Sequence, residues 1–231
     1  QASADLTARR ALVTGAGGFV GRWLCRELLD AGWDVVGTTF DDASDELLPD
    51  VRWRTEDLTN ATVANDAVTF ARPDAVFHLA GLAFVLEAGQ FPERGLAVNV
   101  GGALHLLTAL QGQRAAGMID PSVVVVGSAE QYGRHDTSRM PLDETAPCRP
   151  RNIYAATKAA QEVFAREAFE STGLRVVATR SFNHSGPGQS PKFLLPALID
   201  RVCKLKGSGG TELAIGNTST VRDFSHVRDV V

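Results

Sequence analysis

Cysteine is scarce in this 231-residue chain, limited to Cys25, Cys148 and Cys203. Their spacing matches no metal or redox motif, and an odd number argues against a disulfide framework. Isolated thiols suit a reducing compartment, so a cytoplasmic location is expected. Long hydrophobic runs are also absent; nothing approaches the roughly 18 consecutive apolar residues that a membrane helix needs. Gln1 to Arg10 contains no hydrophobic signal segment, which argues against secretion. Neither sign of charge is in large excess. A formal net charge of -4 with scattered arginines leaves no broad basic face for nucleic acid. No cluster of histidines or cysteines has metal-ligand spacing, so no catalytic metal is expected. What is present is an ordinary globular composition, 44% hydrophobic and 22% charged, in a chain long enough to bury a large core.

The first 180 residues read as alternating strands and helices. Strands are expected at Ala11–Thr14, Asp34–Thr39, Val51–Thr55, Ala75–Leu79, Pro121–Gly127 and Leu174–Thr179. Helices are expected at Phe19–Ala31, Asn60–Arg72, Gly95–Gly117 and Ile153–Thr172. Short, continuous β-branched runs such as Val123–Val126, separated by helical periodicity, imply a Rossmann-like α/β fold: a parallel sheet covered by helices on both faces. After Arg180 the texture changes. Asn183 to Gly188 has glycine and proline where a regular strand or helix would continue. Pro191–Lys204 resembles a helix, Glu212–Ile215 a short extended piece, and Ser225 begins an apolar-periodic helix. Residues 1–180 are therefore expected to form the nucleotide-binding domain and 181–231 part of a substrate lobe. Val231 falls inside that last periodic segment, so a longer natural protein is expected.

Thr14-Gly-Ala-Gly-Gly-Phe-Val-Gly21 lies between a strand and a helix, the context in which a glycine pattern signifies a dinucleotide. Gly15 permits the turn, Gly18 lets backbone approach a diphosphate, and Gly21 allows close helix packing. Phe19 and Val20 complete the loop, where the helix N-terminus meets the anion. At the end of the second strand, an acid commonly holds the ribose hydroxyls of NAD. Here Thr38 and Thr39 stand there, and Asp41 and Asp42 come later. The absence of an acid at that point favours NADP slightly over NAD. Asp57, after the third strand, either binds the adenine amine or caps the helix that follows Thr59-Asn60.

Tyr154 and Lys158 are four apart in Tyr-Ala-Ala-Thr-Lys, which puts a phenol and an ammonium on one helix face. Reduction of a ketone leaves charge on oxygen and requires a proton. A tyrosine with a pKa near ~10 would be made more acidic by a neighbouring lysine. Ser128 follows the valine strand at the carboxyl edge of the sheet, where ligands bind in such folds, and its hydroxyl would polarise the same oxygen. A Tyr-x-x-x-Lys spacing alone is common by chance, and a serine after a strand is often only a turn residue. Joined to the glycine loop, they point to an enzyme rather than a binding module on the same scaffold.

Several ordered motifs extend this pattern: Thr14 to Gly21, Asp57-Leu58, His78-Leu-Ala-Gly81, Asn99, Ser128 to Gly133, Tyr154 to Lys158 and Arg222 to Asp229. Through them the chain resembles the extended short-chain dehydrogenase/reductase (NAD-dependent epimerase/dehydratase) family over essentially its whole length. The resemblance implies a nucleotide-diphosphate sugar as substrate and a homodimer through the helices of 95–117 and 153–172. It implies that Leu58, Leu79, Ala80, Gly81 and Asn99 border the cofactor, as do Tyr154 and Lys158. It also implies that Asn183 and Arg222 meet the substrate diphosphate, where an arginine's planar fork suits phosphate. His184 would line the sugar pocket and Phe193 would cover the base or sugar.

Three segments bear on the reaction. Ala83 stands where family epimerases acting on galactose-type sugars often have lysine, which weakens the epimerase reading. Ser128-Ala129-Glu130 retains the glutamate of family dehydratases but lacks their aspartate, so Glu130 could still serve as a base at a keto sugar. Gly127 to Gly133, Pro150 to Tyr154 and Ser181 to Gln189 look most like the branch that reduces GDP-4-keto-6-deoxy-mannose. Reduction of a 4-keto-6-deoxy sugar is thus expected, with a GDP-mannose-type 4,6-dehydratase or a 4-epimerase as alternatives.

Overall fold

The computed structural model describes residues 8–41 and 48–231. The chain divides into two compact units, one running to Ser181 and the other from Phe182 to Val231. Among the described residues, no helix is long and apolar enough to cross a membrane.

The first unit begins with β1 (Arg10–Thr14), α1 (Phe19–Asp30), β2 (Asp34–Thr39), β3 (Arg52–Thr55), α2 (Ala61–Ala71) and β4 (Ala75–His78). It continues with α3 (Val85–Gln90), α4 (Pro92–Gly95), a π-helical segment (Leu96–Gly101) and α5 (Gly102–Ala115). β5 (Ser122–Val126), α6 (Ile153–Thr172) and β6 (Arg175–Thr179) complete it. The six strands pair in parallel in the order β3-β2-β1-β4-β5-β6. This is the Rossmann-like sheet expected from the β-branched runs. Its strand order reverses between β1 and β4, the place where the carboxyl ends of such a sheet leave a crevice.

Burial on both faces explains the continuous apolar runs. Leu12, Val36, Val76, Val123 and Val125 form one core with Val68 and Ala71 of α2, Leu106, Leu107 and Leu110 of α5, and Ala165 and Ala168 of α6. The intervening Ala11, Val13 and Val35 are equally buried and must point to the opposite face. α1 packs on β1 and β2 and buries Leu24, Cys25 and Leu28. Helix boundaries have local causes. Asn60 caps α2 by accepting from Thr62 N at 2.9 Å, and Asn152 caps α6 by accepting from Ala155 N at 2.7 Å. Gly173, at φ 67°, ends α6 in the left-handed conformation, which glycine adopts without a Cβ clash.

Two local expectations in this unit require correction. The helix expected over Gly95–Gly117 is not uniform, because Leu96–Gly101 winds as a π-helix before α5 begins. A period of 3.6 cannot represent that extra residue per turn. Val85–Gln90, for which no element was expected, forms α3, and its six residues are too few to show a convincing periodicity.

The second unit contains β7 (Asn183–Ser185), α7 (Leu194–Gly207), β8 (Phe224–His226) and α8 (Val227–Val230). Asn183 to Gly188 was expected to exclude a strand, yet β7 pairs in parallel with β8, Asn183 opposite Phe224. Pairing across 40 residues, reinforced by Asn183 Nδ2 donating to Asp223 O at 3.1 Å, supplies order that the local sequence does not announce. The same pairing takes Ser225 and His226 out of the expected helix. Glu212–Ile215 has no regular structure; it lacks a strand to supply ladder hydrogen bonds.

Candidate active site

The glycine loop is held by close backbone packing. Gly15 adopts φ +70°, and a Cβ there would lie 2.7 Å from Ala80 N. A Cβ on Gly21 would run into Gly15 O and lie 2.7 Å from Ala16 Cα. Gly17, which the motif reading left without a role, would place a Cβ 2.9 Å from Thr39 Oγ1. Gly18 begins α1 as a residue without a side-chain cap, followed by Phe19 and Val20 in the first helical turn. The loop thus brings the ends of β1, β2 and β4 together through backbone that side chains would separate. Such a cradle suits a dinucleotide diphosphate.

Thr14 joins this cradle to the end of β4. Its hydroxyl lies 2.8 Å from His78 Nδ1 and accepts from Ala80 N at 3.2 Å. Leu79 N donates to Thr14 O at 3.1 Å. His78 is fully buried, and burial first and the charge of Lys158 second push its imidazole down to about 3. It is therefore neutral at ordinary pH. Thr39 ends β2, Asp41 is exposed, and Asp42 lies outside the described residues. Asp57 makes a tight turn by accepting from Thr59 N at 3.0 Å and Thr59 Oγ1 at 2.7 Å. The helix cap that followed from one reading of Asp57 belongs instead to Asn60. Leu58 is buried, and its carbonyl lies 3.1 Å from His105 Nδ1.

Asn99, inside the π-helical segment, is fully buried. Its carboxamide accepts from Leu82 N at 2.6 Å and donates to Leu82 O at 3.3 Å and to Thr157 Oγ1 at 2.9 Å. One side chain therefore fastens the β4 exit loop to α6. A Cβ on Gly81 would meet Asn99 Oδ1 at 2.9 Å and Lys158 Nζ at 3.4 Å. Ala83 is exposed just before α3.

Ser128, Tyr154 and Lys158 gather at the end of β5. Ser128 caps a 3-10 turn over Ala129–Tyr132 by accepting from Glu130 N at 3.2 Å. Its hydroxyl is also near enough to the Tyr154 phenol to favour the phenolate. Lys158 Nζ, buried one helical turn further along α6, donates to Val126 O at 2.9 Å. Burial pushes the Lys158 ammonium down to about 8.

The Tyr154 phenol corrects the expected electrostatics. It lies above its ordinary value, because burial raises it more than the Ser128 hydroxyl lowers it, and Glu130 raises it further. Lys158, which was expected to lower it, directs its ammonium to the strand carbonyl. Glu130 is exposed, and its carboxylate accepts from Asn152 Nδ2 at 3.5 Å.

Within the second unit, β7 and β8 bring Asn183 and His184 beside Phe224 and Ser225. His184 Nδ1 lies 3.0 Å from Phe182 O. Arg222 is exposed just before β8, and its guanidinium donates to Val221 O at 2.9 Å. Phe193 stands at the start of α7. Among the described residues, no three histidine, cysteine or acidic side chains are grouped to hold a metal.

Sequence reasoning missed Gly17, Asn152 and the side chains behind Ser128. A glycine at every third loop position draws attention away from Gly17, whereas the Asn152 cap is visible as an asparagine just before an apolar helix.

The GDP-6-deoxy-D-mannose reductase of Pseudomonas aeruginosa is 36% identical over 160 residues, covering 69% of this chain and 51% of that protein. GDP-mannose 4,6 dehydratase 2 of Arabidopsis thaliana is 27% identical, with 96% of this chain and 62% of the relative covered. The chain thus spans about half to two thirds of the length of these curated relatives. Among solved structures, RMD from Pseudomonas aeruginosa complexed with NADPH superposes with a TM-score of 0.77 at 31% identity, over 96% of this chain and 69% of the other. Residues 11–231 match the profile of the NAD dependent epimerase/dehydratase family. On that match, which takes in the glycine cradle and the Ser128–Tyr154–Lys158 group alike, the chain belongs to the NAD dependent epimerase/dehydratase family.

Proposed function

We propose that this protein reduces the C4 ketone of a nucleotide-linked 4-keto-6-deoxy sugar, GDP-4-keto-6-deoxy-mannose by preference, with NADPH favoured over NADH. The observation that carries the reading is the meeting of the Ser128 hydroxyl with the Tyr154 phenol, with Lys158 one turn away on α6. The similarity to a GDP-6-deoxy-D-mannose reductase supports the choice of ketone and base.

The cofactor would be held by Gly15, Gly17, Gly18 and Gly21, with Phe19 and Val20 opening α1 beneath the diphosphate. Leu58, Leu79, Ala80 and Gly81 would border it. When bound, the nicotinamide supplies the hydride. Ser128 orients the sugar carbonyl, Tyr154 gives its phenolic proton to the oxygen as charge develops there, and Lys158 holds the ribose hydroxyls. A raised Tyr154 pKa keeps the phenol protonated at neutral pH, the form required of a proton donor. Residues 182–231 would supply nucleotide-sugar contacts, including Asn183, His184, Phe193 and Arg222. The small side chains of Ala83 and Ala129 would border the sugar.

NADPH is favoured by the surroundings of Thr39. Arg22 Nε donates to Gly17 O at 2.9 Å, and Gly17 packs against the Thr39 hydroxyl. The Arg22 guanidinium is thereby anchored on the glycine loop, from which an arginine could accommodate a 2′-phosphate. The dehydratase reading retains one specific support: Glu130 N bonds Ser128 Oγ, placing a carboxylate-bearing residue next to the same hydroxyl.

Full-length protein is incubated with GDP-4-keto-6-deoxy-mannose and NADPH or NADH, and separately with GDP-mannose alone. Oxidation of NADPH with loss of the keto sugar is expected. Formation of keto sugar from GDP-mannose without net cofactor consumption would instead establish the dehydratase and refute the reductase.

A further inference from the structure

We infer that Gln131 is a positioning residue for Ser128, its carboxamide oriented by the Glu162–Arg180 ion pair. This rests on the proposed reading of Ser128 as the hydroxyl that meets the substrate oxygen.

Gln131 is fully buried two residues before the turn closes at Gly133. Its Oε1 accepts from Ser128 N at 2.8 Å, and its Nε2 donates to Glu162 Oε2 at 2.7 Å. A carboxamide has distinct ends, and a carboxylate can only accept when ionised. Glu162 therefore requires the NH₂ end of Gln131, which leaves the oxygen end for Ser128. Glu162 is itself fixed by Arg180, whose Nε and Nη2 lie 2.8 and 2.6 Å from its two oxygens. That bidentate contact is the main cause holding the Glu162 carboxyl below its ordinary pKa. Arg180 is held in turn by the carbonyls of Glu144 and Ala146 at 3.2 and 3.3 Å and stacks over the Tyr132 ring.

The chain of contacts runs in one direction, from Arg180 through Glu162 and Gln131 to the Ser128 backbone. Ser128 is kept extended, φ -153° and ψ 143°, with its side chain turned toward Glu130 N and Tyr154. Gly127 makes the approach possible, since a Cβ there would run into Gln131 Oε1 and Thr179 O. Glu162 also lies on α6, two turns beyond Tyr154. One ion pair therefore couples the turn that carries Ser128 to the helix that carries Tyr154. The fixed geometry is valuable because small displacements of a reacting group reduce turnover steeply.

Turnover of the keto sugar by full-length Gln131→Leu, Ser128→Ala and the double variant tests the coupling. Gln131→Leu is expected to lower kcat by up to about 100-fold with the cofactor KM unchanged. Because Gln131 acts through Ser128, the double variant should be no slower than Ser128→Ala alone. Multiplicative losses, or full kcat in either single variant, overturn the inference. Reversing the polarity gives a second arm. Gln131→Glu sets a second carboxylate against Glu162 in place of the donating NH₂ and should be impaired, and full turnover in this variant overturns the inference.

A third measurement does not use the sugar. The ¹³C-labelled Tyr154 resonance, identified through Tyr154→Phe, should titrate at higher pH in Gln131→Leu because the Ser128 hydroxyl is misaligned. An unchanged midpoint overturns the positioning role. If the midpoint moves but no nucleotide sugar is reduced, the proposed function fails and the positioning role stands.

Discussion

At the start of α1 the candidate site is made of backbone, whereas at α6 it is made of side chains. Gly15, Gly17 and Gly21 bring three strand ends together by having no Cβ to obstruct them. Ser128, Tyr154 and Lys158 instead depend on hydrogen bonds to groups far away in sequence, including Lys158 to Val126 O at 2.9 Å. The first arrangement tolerates no added atom and no alternative rotamer. The second can lose one atom and keep its shape, and under the proposed function that atom carries the chemistry. Shape and reactivity are thereby separable across the two walls, and substitutions should separate them experimentally.

The largest effect is expected from Tyr154→Phe, which deletes one oxygen from the side-chain wall. Turnover should fall by about 10²–10⁴-fold, the usual contribution of a positioned proton donor, while NADPH binding measured by fluorescence is retained. Unchanged turnover would remove Tyr154 from the chemistry altogether. Gly21→Ala attacks the backbone wall instead. Its Cβ would collide with Gly15 O, and overpacking of this kind costs about 1–3 kcal/mol. For a domain of this size each kcal/mol lowers Tm by roughly 2–4 °C, so a thermal melt should show the loss together with weaker NADPH binding. A melt identical to the unaltered protein would refute the tight packing of this loop.

The smallest effect concerns His78, where the two walls approach each other. Its imidazole is held at about 3 against an ordinary 6.5. As pH falls from 6.5 toward 3, the unfolded chain binds a proton there that the folded chain refuses, so native stability declines across this window. His78→Phe removes that proton uptake but also loses the Thr14 hydrogen bond. The stability advantage of the native protein over this variant should therefore narrow between pH 6.5 and 4.5 in urea titrations. A constant gap would mean that His78 is already charged, or freely solvated, in the fold.

The contrast also explains what could be read from the residues. β2 and α6 occupy the expected Asp34–Thr39 and Ile153–Thr172 spans, since an unbroken apolar run and a helix closed by Gly173 are local signals. Steric demands at Gly15 and Gly21 leave a fixed pattern for the same reason. Gln131 leaves none: a glutamine after Ser-Ala-Glu acquires meaning only when folding sets it beside Glu162, 31 residues later. The β7–β8 pair is hidden likewise, because its order comes from a partner strand rather than from its own three residues. The place of Tyr154 beside Ser128 and one turn before Lys158 was legible, but not its acidity, which burial decides more than its helical neighbour.

The π-helical segment at Leu96–Gly101 has a consequence for angular phase. In an α-helix each residue advances about 100°, so one surplus residue in a turn rotates everything after it relative to everything before. Asn99 can consequently face inward toward Leu82 and Thr157 while Leu106, Leu107 and Leu110 of the following helix still meet the sheet. The irregular turn works as a rotational offset between two inward-facing stripes, one polar and one apolar, which an unbroken helix would have to present in a single phase.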